Sequence, residues 1–342
     1  MKAIGIRATS RSLEVRDIPS PDSPPSGHVV VDIDACGINH GDKLFLTMPG
    51  AAGGALNGLN PVWGASAAGR VAAIGADVPA NFLGKNVAIY RSLSTSSQTI
   101  GLWSEQAQVP YTSCVILPDD VSARDYCGSL VNIITPYAFL EESKAEGHKG
   151  IIATAGASAT ALALAALAKL RQVTVIHLVR SANEHMKLRD LGMEHVLLTT
   201  ADGFEETLGT LAETLGATAV FDGLGGALTG RIAPHLPMHT SVYLYGVLDA
   251  SGPVAISARV FMSKNLLVKR FSNFNSATVK DPVRLATAMA DLSSVIGDPV
   301  FRTRIGKAFR FEEIEAAIAY QEVSGARAIL VPAEATAQKV IG

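Results

Sequence analysis

The chain has 342 residues, 48% hydrophobic and 18% charged, and its 29 Lys and Arg against 31 Asp and Glu give a formal net charge of −2. This length exceeds what one hydrophobic core usually serves, so two domains are expected. With no basic block to track a phosphate backbone, nucleic acid is not expected as a partner, and three scattered cysteines (Cys36, Cys114, Cys127) support neither a disulfide framework nor structural zinc.

The opening MKAIGIRATSRSLEVRD alternates apolar and polar residues and lacks the apolar core of a signal peptide, so a cytoplasmic protein is expected. To about residue 120 the pattern is short strands punctuated by Gly, Pro and Asp, with HVVVDIDACGI reading as a half-buried strand. Past Ser122 the spacing turns helical, and from Lys149 strands alternate with helices: IIATA, VTVIHLV, HVLLTT, AVFDGLGG and SVYLYGV, with helices between them, imply a parallel sheet covered on both faces. The tail is mixed, with VKRFSNFN strand-like, two helices and a last strand, ARAILVP. The expected fold class is α/β: a Rossmann doubly wound parallel sheet (residues 123–266) inserted into a β-rich domain built from residues 1–122 and 267–342.

Residues 150–168 form a run of 19 without charge, close to the length of a membrane span. Thr154, Gly156, Ser158 and Thr160 interrupt it, and the β-α units that follow supply a sheet to bury it. The run reads better as strand, tight turn and helix, with Gly156, Ala157, Ser158, Ala159 and Thr160 where a dinucleotide fingerprint would stand. Small residues there let backbone N–H groups approach a pyrophosphate at a helix N-terminus, and Ser158 and Thr160 add hydroxyl donors; an ordinary α/β turn has the same lettering. The next strand ends in Arg180 and Ser181 rather than in the Asp or Glu of an NAD site. Arg180 reads either as a fork for a 2′-phosphate, which favours NADPH over NADH, or as a surface residue at the strand end.

ACGINHGD (35–42), WGASAAGRVAAIG (63–75), LWSEQAQVP (102–110), LVNIITPYAFL (130–140) and AVFDGLGG (219–226) follow the order and spacing of the medium-chain dehydrogenase/reductase superfamily. The chain resembles that superfamily over essentially its whole length. The resemblance implies that the β-rich part is a GroES-like catalytic domain, that the substrate is a small molecule, and that a homodimer pairs near VYLYGVL. Zinc alcohol dehydrogenases carry a ligand Cys at the position of Asn39 and G-H-E at that of Gly64, Ala65 and Ser66, so no zinc is expected here. Asn39, the V-N-x-x-T of residues 131–135 and the T-A-G-A-S-A of residues 154–159 look like the zinc-free quinone oxidoreductase and 2-enoyl thioester reductase branch. That branch supplies a tyrosine proton donor shortly after the Asp matching Asp42, whereas KLFLTMPGAAGG contains none and Leu44 stands where quinone reductases place theirs.

On this reading residues 156–160 cradle the pyrophosphate, and Arg180 with Ser181 holds the 2′-phosphate. The resemblance places Gly223, Leu224, Tyr245, Gly246, Phe271, Ser272 and Asn273 along the path from adenosine to nicotinamide, Arg327 near the cofactor's phosphates, and Asn39 and Thr135 where nicotinamide and acceptor meet. Plainer roles stay open: Asn39 tying a buried turn, Thr135 capping a helix before Pro136, Tyr245 packing at a subunit edge, and Ser272 and Asn273 as a polar loop.

Without metal or an obvious general acid, the economical chemistry is hydride transfer to a quinone or an α,β-unsaturated carbonyl, whose oxygen absorbs the charge. The alternatives are an enoyl thioester, with Lys264, Lys269 and Arg270 as a basic patch for its carrier, and an NADPH-binding redox sensor without turnover. His235 and His239 have helical spacing, but Pro234 and Pro237 argue against a shared face and a metal pair. MPGAAGGALNGLNP (48–61) reads as a mobile rim over the substrate or as a plain surface loop.

Overall fold

The computed structural model describes residues 1–7, 12–47, 62–249, 252–322 and 325–333. The glycine-rich stretch 48–61 lies outside the described residues.

The first strands are β1 (Lys2–Ile6), β2 (Leu13–Asp17), β3 (His28–Gly37), β4 (Ser66–Ile74), β5 (Asn86–Tyr90), β6 (Gln106–Pro110) and β7 (Cys114–Ile116). The middle carries β8 (Gly150–Ala153), β9 (Thr174–Val179), β10 (Val196–Leu198), β11 (Ala217–Asp222), β12 (Ser241–Leu244) and β13 (Leu267–Arg270). Two more, β14 (Ile305–Arg310) and β15 (Arg327–Val331), come from the tail. The helices that bear on the site are α1 (His40–Thr47), α2 (Ser129–Ala145), α3 (Ala159–Leu170), α4 (Ala182–Asp190), α5 (Phe204–Leu215), α6 (Ala227–Ile232) and α7 (Ala258–Ser263).

The chain divides into two units, Met1–Val131 with Met289–Gly342, and Asn132–Ala288. In the first, β3 is the axis. Val31, Ile33 and Ala35 are buried while Asp32 and Asp34 face outward, the period-two pattern of a strand with one wet face. β3 pairs antiparallel with β4, β6 and β15, in a sheet ordered β14-β15-β3-β4-β5-β7 with β6 also on β3. Trp63, Trp103, Ile38, Ile89 and Leu102 fill its core.

The second unit is a parallel sheet ordered β10-β9-β8-β11-β12-β13. The chain works outward from β8 to β10 on one side, then crosses to β11 and works outward on the other, which is the doubly wound topology. Helix α5 shows how the sheet is covered: Phe204, Leu208 and Ala212 recur every four residues and are buried against it. The uncharged run 150–168 divides into β8, a turn and α3, and among the described residues no helix is long and apolar enough to cross a membrane.

One local pattern differs from expectation. VKRFSNFN was expected in the β-rich half; instead β13 extends the parallel sheet, with Ser241 opposite Leu267 and Leu244 opposite Arg270, and Asn273–Asn275 is a short 3-10 turn. A half-apolar strand of four residues carries no mark of the sheet it will join, because pairing partners decide that. His235 lies in the 3-10 turn Ala233–His235 and His239 takes a φ of 61°, so the two share no helix face.

Candidate cofactor and active site

The second unit reverses direction between β8 and β11, and ligands of such sheets bind beyond the strand ends at that point. Residues 154–158 make the turn from β8 to α3. Ala155 is left-handed, with φ of 49°. The Gly156 N–H donates to Leu178 O of β9 at 2.9 Å, and a Cβ on Gly156 would lie 2.9 Å from that same oxygen, so only glycine fits this approach without a shift. Ser158 caps α3 by accepting the Ala161 N–H at 3.2 Å. Thr160 departs from its expected role as a phosphate donor: its Oγ1 donates to Asn132 Oδ1 of α2 at 3.1 Å. Behind the turn, His177 Nδ1 donates to Gly156 O at 3.2 Å, and burial presses this imidazole down to about 4, so it stays neutral.

The turn is tied to the loop after β11 by two fully buried residues, Thr154 and Asp222. Thr154 Oγ1 donates to Asp222 Oδ1 at 2.6 Å and accepts the Gly223 N–H at 3.0 Å. The same carboxylate oxygen accepts the N–H of Leu224 at 2.9 Å and of Gly225 at 3.2 Å, while the Thr229 hydroxyl donates to Oδ2. Sequence reasoning passed over this pair, although both residues stand inside quoted motifs. The loop after β12 joins the same knot, since Tyr245 N–H donates to Asp222 O at 2.9 Å and Gly246 approaches Gly223 O too closely to carry a Cβ.

Tyr245 lies over the end of β11. Its ring stacks on Phe221 at 3.9 Å and 17°, and a Cβ on Gly223 would come 2.5 Å from its hydroxyl. That buried hydroxyl sits beside Ser158 yet makes no hydrogen bond of normal geometry, and burial raises its pKa, so it remains a protonated donor. Phe271 packs in the core, its ring edge-on to Phe139 at 5.8 Å. Asn273 Nδ2 donates to Thr135 Oγ1 at 2.7 Å, bringing two of the anticipated residues together. Asn273 Oδ1 and Ser272 Oγ, like the Tyr245 hydroxyl, are buried without a partner among the described residues. Each such atom costs about 1–3 kcal/mol unless something pairs with it. Donors and an acceptor at the carboxyl ends of β12 and β13 suit a dinucleotide, which brings both phosphate oxygens and an amide.

At the end of β9, Arg180 is exposed. Ser181 caps α4, accepting the Glu184 N–H at 3.2 Å, and its hydroxyl donates to Glu184 Oε2 at 3.0 Å. Glu184 was missed, although the S-x-x-E spacing that marks a helix start was legible. Of the three basic residues weighed for a thioester carrier, Lys269 is already engaged. Lys269 is paired with Glu142 and Glu146 and lies 4.3 Å over the Tyr243 ring.

The first unit holds a second polar knot. Asn39 Nδ2 donates to Ser66 Oγ at 2.6 Å and to Asp42 Oδ2 at 3.1 Å, its backbone N–H donates to the same Asp42 oxygen at 2.8 Å, and its Oδ1 accepts from Arg327 Nη1 at 2.6 Å. Asp42 Oδ1 accepts the Ala65 N–H at 3.0 Å. Burial pushes the Asp42 carboxyl up to about 6, against the opposing pull of these donors and of the Arg327 charge. Arg327 Nε is buried and has no hydrogen-bond partner among the described residues. The amide and hydroxyl at the positions compared with zinc ligands are thus bonded to one another. Among the described residues, no three His, Cys, Asp or Glu are grouped to hold a metal ion. The three cysteines are free and buried, and burial raises Cys127 to about 12.

Residues 25–119 match the model of the alcohol dehydrogenase GroES-like domain. The rat synaptic vesicle membrane protein VAT-1 homolog is 26% identical over 239 residues, which cover 68% of this chain and 55% of that protein. The match therefore spans little more than half the length of that relative. Among solved structures, a mycobacterial quinone oxidoreductase aligns with a TM-score of 0.71 at 23% identity, covering 97% of this chain and 100% of its own. Escherichia coli quinone oxidoreductase complexed with NADPH aligns with a TM-score of 0.70 at 21% identity, covering 97% and 100%. At these identities the likeness is one of fold.

Proposed function

We propose that the chain is a medium-chain dehydrogenase/reductase of the quinone oxidoreductase type, an NADPH-dependent, zinc-independent reductase of quinones or α,β-unsaturated carbonyls. The observation that carries this reading is the β8–α3 turn: Gly156 pressed against β9, a capped helix start at Ser158, and the partnerless hydroxyl of Tyr245 beside it. The E. coli protein of the same fold is complexed with NADPH, which supports the choice of cofactor.

Bound NADPH supplies a hydride. The chain's part is to hold and orient. The Gly156 and Ser158 N–H groups are held by Leu178 O and Ala155 O, so the N–H groups of Ala157 and Ala159 and the start of α3 meet the pyrophosphate, with the Tyr245 hydroxyl as an added donor. Arg180 takes the 2′-phosphate. Ser272 and Asn273 offer Oγ and Oδ1 to the nicotinamide end, and Asn273 in turn orients the Thr135 hydroxyl. Asn39 is a positioning residue, because both of its amide protons are already given to Ser66 and Asp42. Arg327 keeps its Nε for an anion. No tyrosine follows Asp42 within the described part of α1, so the proton that completes reduction comes from water, as a conjugated acceptor permits.

The enoyl thioester reading is less well supported, since Lys269, one of the three basic residues it would use, is paired with two glutamates. The partner on our reading is a second copy: β13 ends the parallel sheet, and Val247, Leu248, Phe261, Met262 and Leu267 are exposed around it. Free, buried thiols suit a reducing compartment such as the cytoplasm. The function is tested by following NADPH absorbance with a quinone, an enone and an enoyl thioester. Oxidation that depends on the quinone or enone supports it, and tight NADPH binding without oxidation by any acceptor refutes it in favour of a sensor.

A further inference from the structure

The strand end assigned above to the 2′-phosphate runs into a helix, α4, whose first turn contains a carboxylate, Glu184. Ser181 follows Arg180, and its hydroxyl is held between the Glu184 N–H at 3.2 Å and Glu184 Oε2 at 3.0 Å. The serine proton is therefore committed to Glu184, while the exposed Arg180 stands one residue before it. A 2′-phosphate arriving at Arg180 meets a like charge, and it gains the Ser181 proton only by breaking the bond to Glu184. A 2′-hydroxyl, by contrast, can donate to that carboxylate. The charge also opposes the pull of the α4 N-terminus on an anion.

We propose that Glu184 is a specificity residue that works against Arg180 and holds down the preference for NADPH over NADH. The inference rests on the dinucleotide reading of this unit. Nothing in it requires Glu184 to touch the reacting atoms.

Calorimetric titration of the wild type and Glu184→Gln with NADPH, NADH and adenosine 2′,5′-bisphosphate tests it. Gln keeps the side chain's length and an acceptor for the Ser181 hydroxyl, so the helix cap survives while the charge is removed. Binding of NADPH and of the bisphosphate should tighten roughly tenfold with NADH unchanged or weaker, the size expected from one unscreened like charge near a phosphate. Arg180→Ala, run in parallel, should move the NADPH-to-NADH ratio the other way. A ratio that stays or falls in Glu184→Gln, with both cofactors still bound, overturns the role of Glu184 and leaves the dinucleotide site standing. Failure of the wild type to bind any of the three probes overturns both.

Discussion

Arg327 Nη1 reaches Asn39 Oδ1 at 2.6 Å, and the far side of the same amide gives its two protons to Ser66 and Asp42. A buried carboxylate and a guanidinium are thus connected through a neutral amide. Removing the amide leaves all three neighbours short of a partner. Asn39→Ala should cost the first unit about 2–4 kcal/mol, measured by urea unfolding, and should lower activity with it. A loss below about 0.5 kcal/mol would show that the knot carries no such weight.

The pH dependence of stability follows from two buried groups of opposite sign. Asp42 has a folded pKa of about 6 against a reference of 3.8, so the folded state holds this proton more tightly, and the group's contribution falls as pH rises from about 4 to about 6. His177, at about 4 against 6.5, behaves in reverse: the unfolded state takes its proton first, so stability is lost as pH falls through the same window. Each swing is on the order of 3 kcal/mol. Unfolding curves at pH 4, 5 and 6 should show a steeper gain of stability with pH in Asp42→Asn than in the wild type, and a loss with pH in His177→Gln. Parallel profiles in all three proteins would contradict the assignment.

Ala155 and Gly156 should respond in opposite directions to small changes. Ala155 holds a φ of 49°, which costs a residue with a Cβ about 1–2 kcal/mol, so Ala155→Gly should be neutral to stabilising by about 1 kcal/mol with NADPH affinity kept. Gly156→Ala puts a methyl 2.9 Å from Leu178 O and 3.0 Å from the His177 Cβ. It should destabilise by about 1–3 kcal/mol and weaken NADPH binding. Thermal melts with and without NADPH separate the two effects.

Sedimentation tests the second copy. The wild type should run as a dimer, and Leu267→Asp with Met262→Asp should shift it to a folded monomer, since these side chains are 49% and 78% exposed beside the open edge of β13. A wild type that sediments only as monomer removes the dimer from the account.

Much of this architecture was legible in the chain. The alternation VTVIHLV, AVFDGLGG, SVYLYGV with helical stretches between them foretold the parallel sheet, because buried strands write themselves as apolar runs whatever sits beside them. Gly156 could be named for the same reason, since a turn tight against β9 admits no larger residue. Thr160 and Phe271 were not legible in their roles. A threonine's hydroxyl can turn toward Asn132 or toward a phosphate, and a phenylalanine's ring toward a core or a ligand, with no change in lettering. The Thr154–Asp222 bond depends on residues 68 apart meeting across two strands, which no local pattern encodes.

The most direct test of the central claim is the fate of the hydride itself. The protein is mixed with NADPH carrying deuterium at both C4 positions of the nicotinamide and with an α,β-unsaturated ketone, and the product is analysed by mass spectrometry and NMR. The account predicts a saturated ketone with one deuterium at the β-carbon and a solvent proton at the α-carbon. No deuterium in the product, from a protein that binds NADPH, would contradict it.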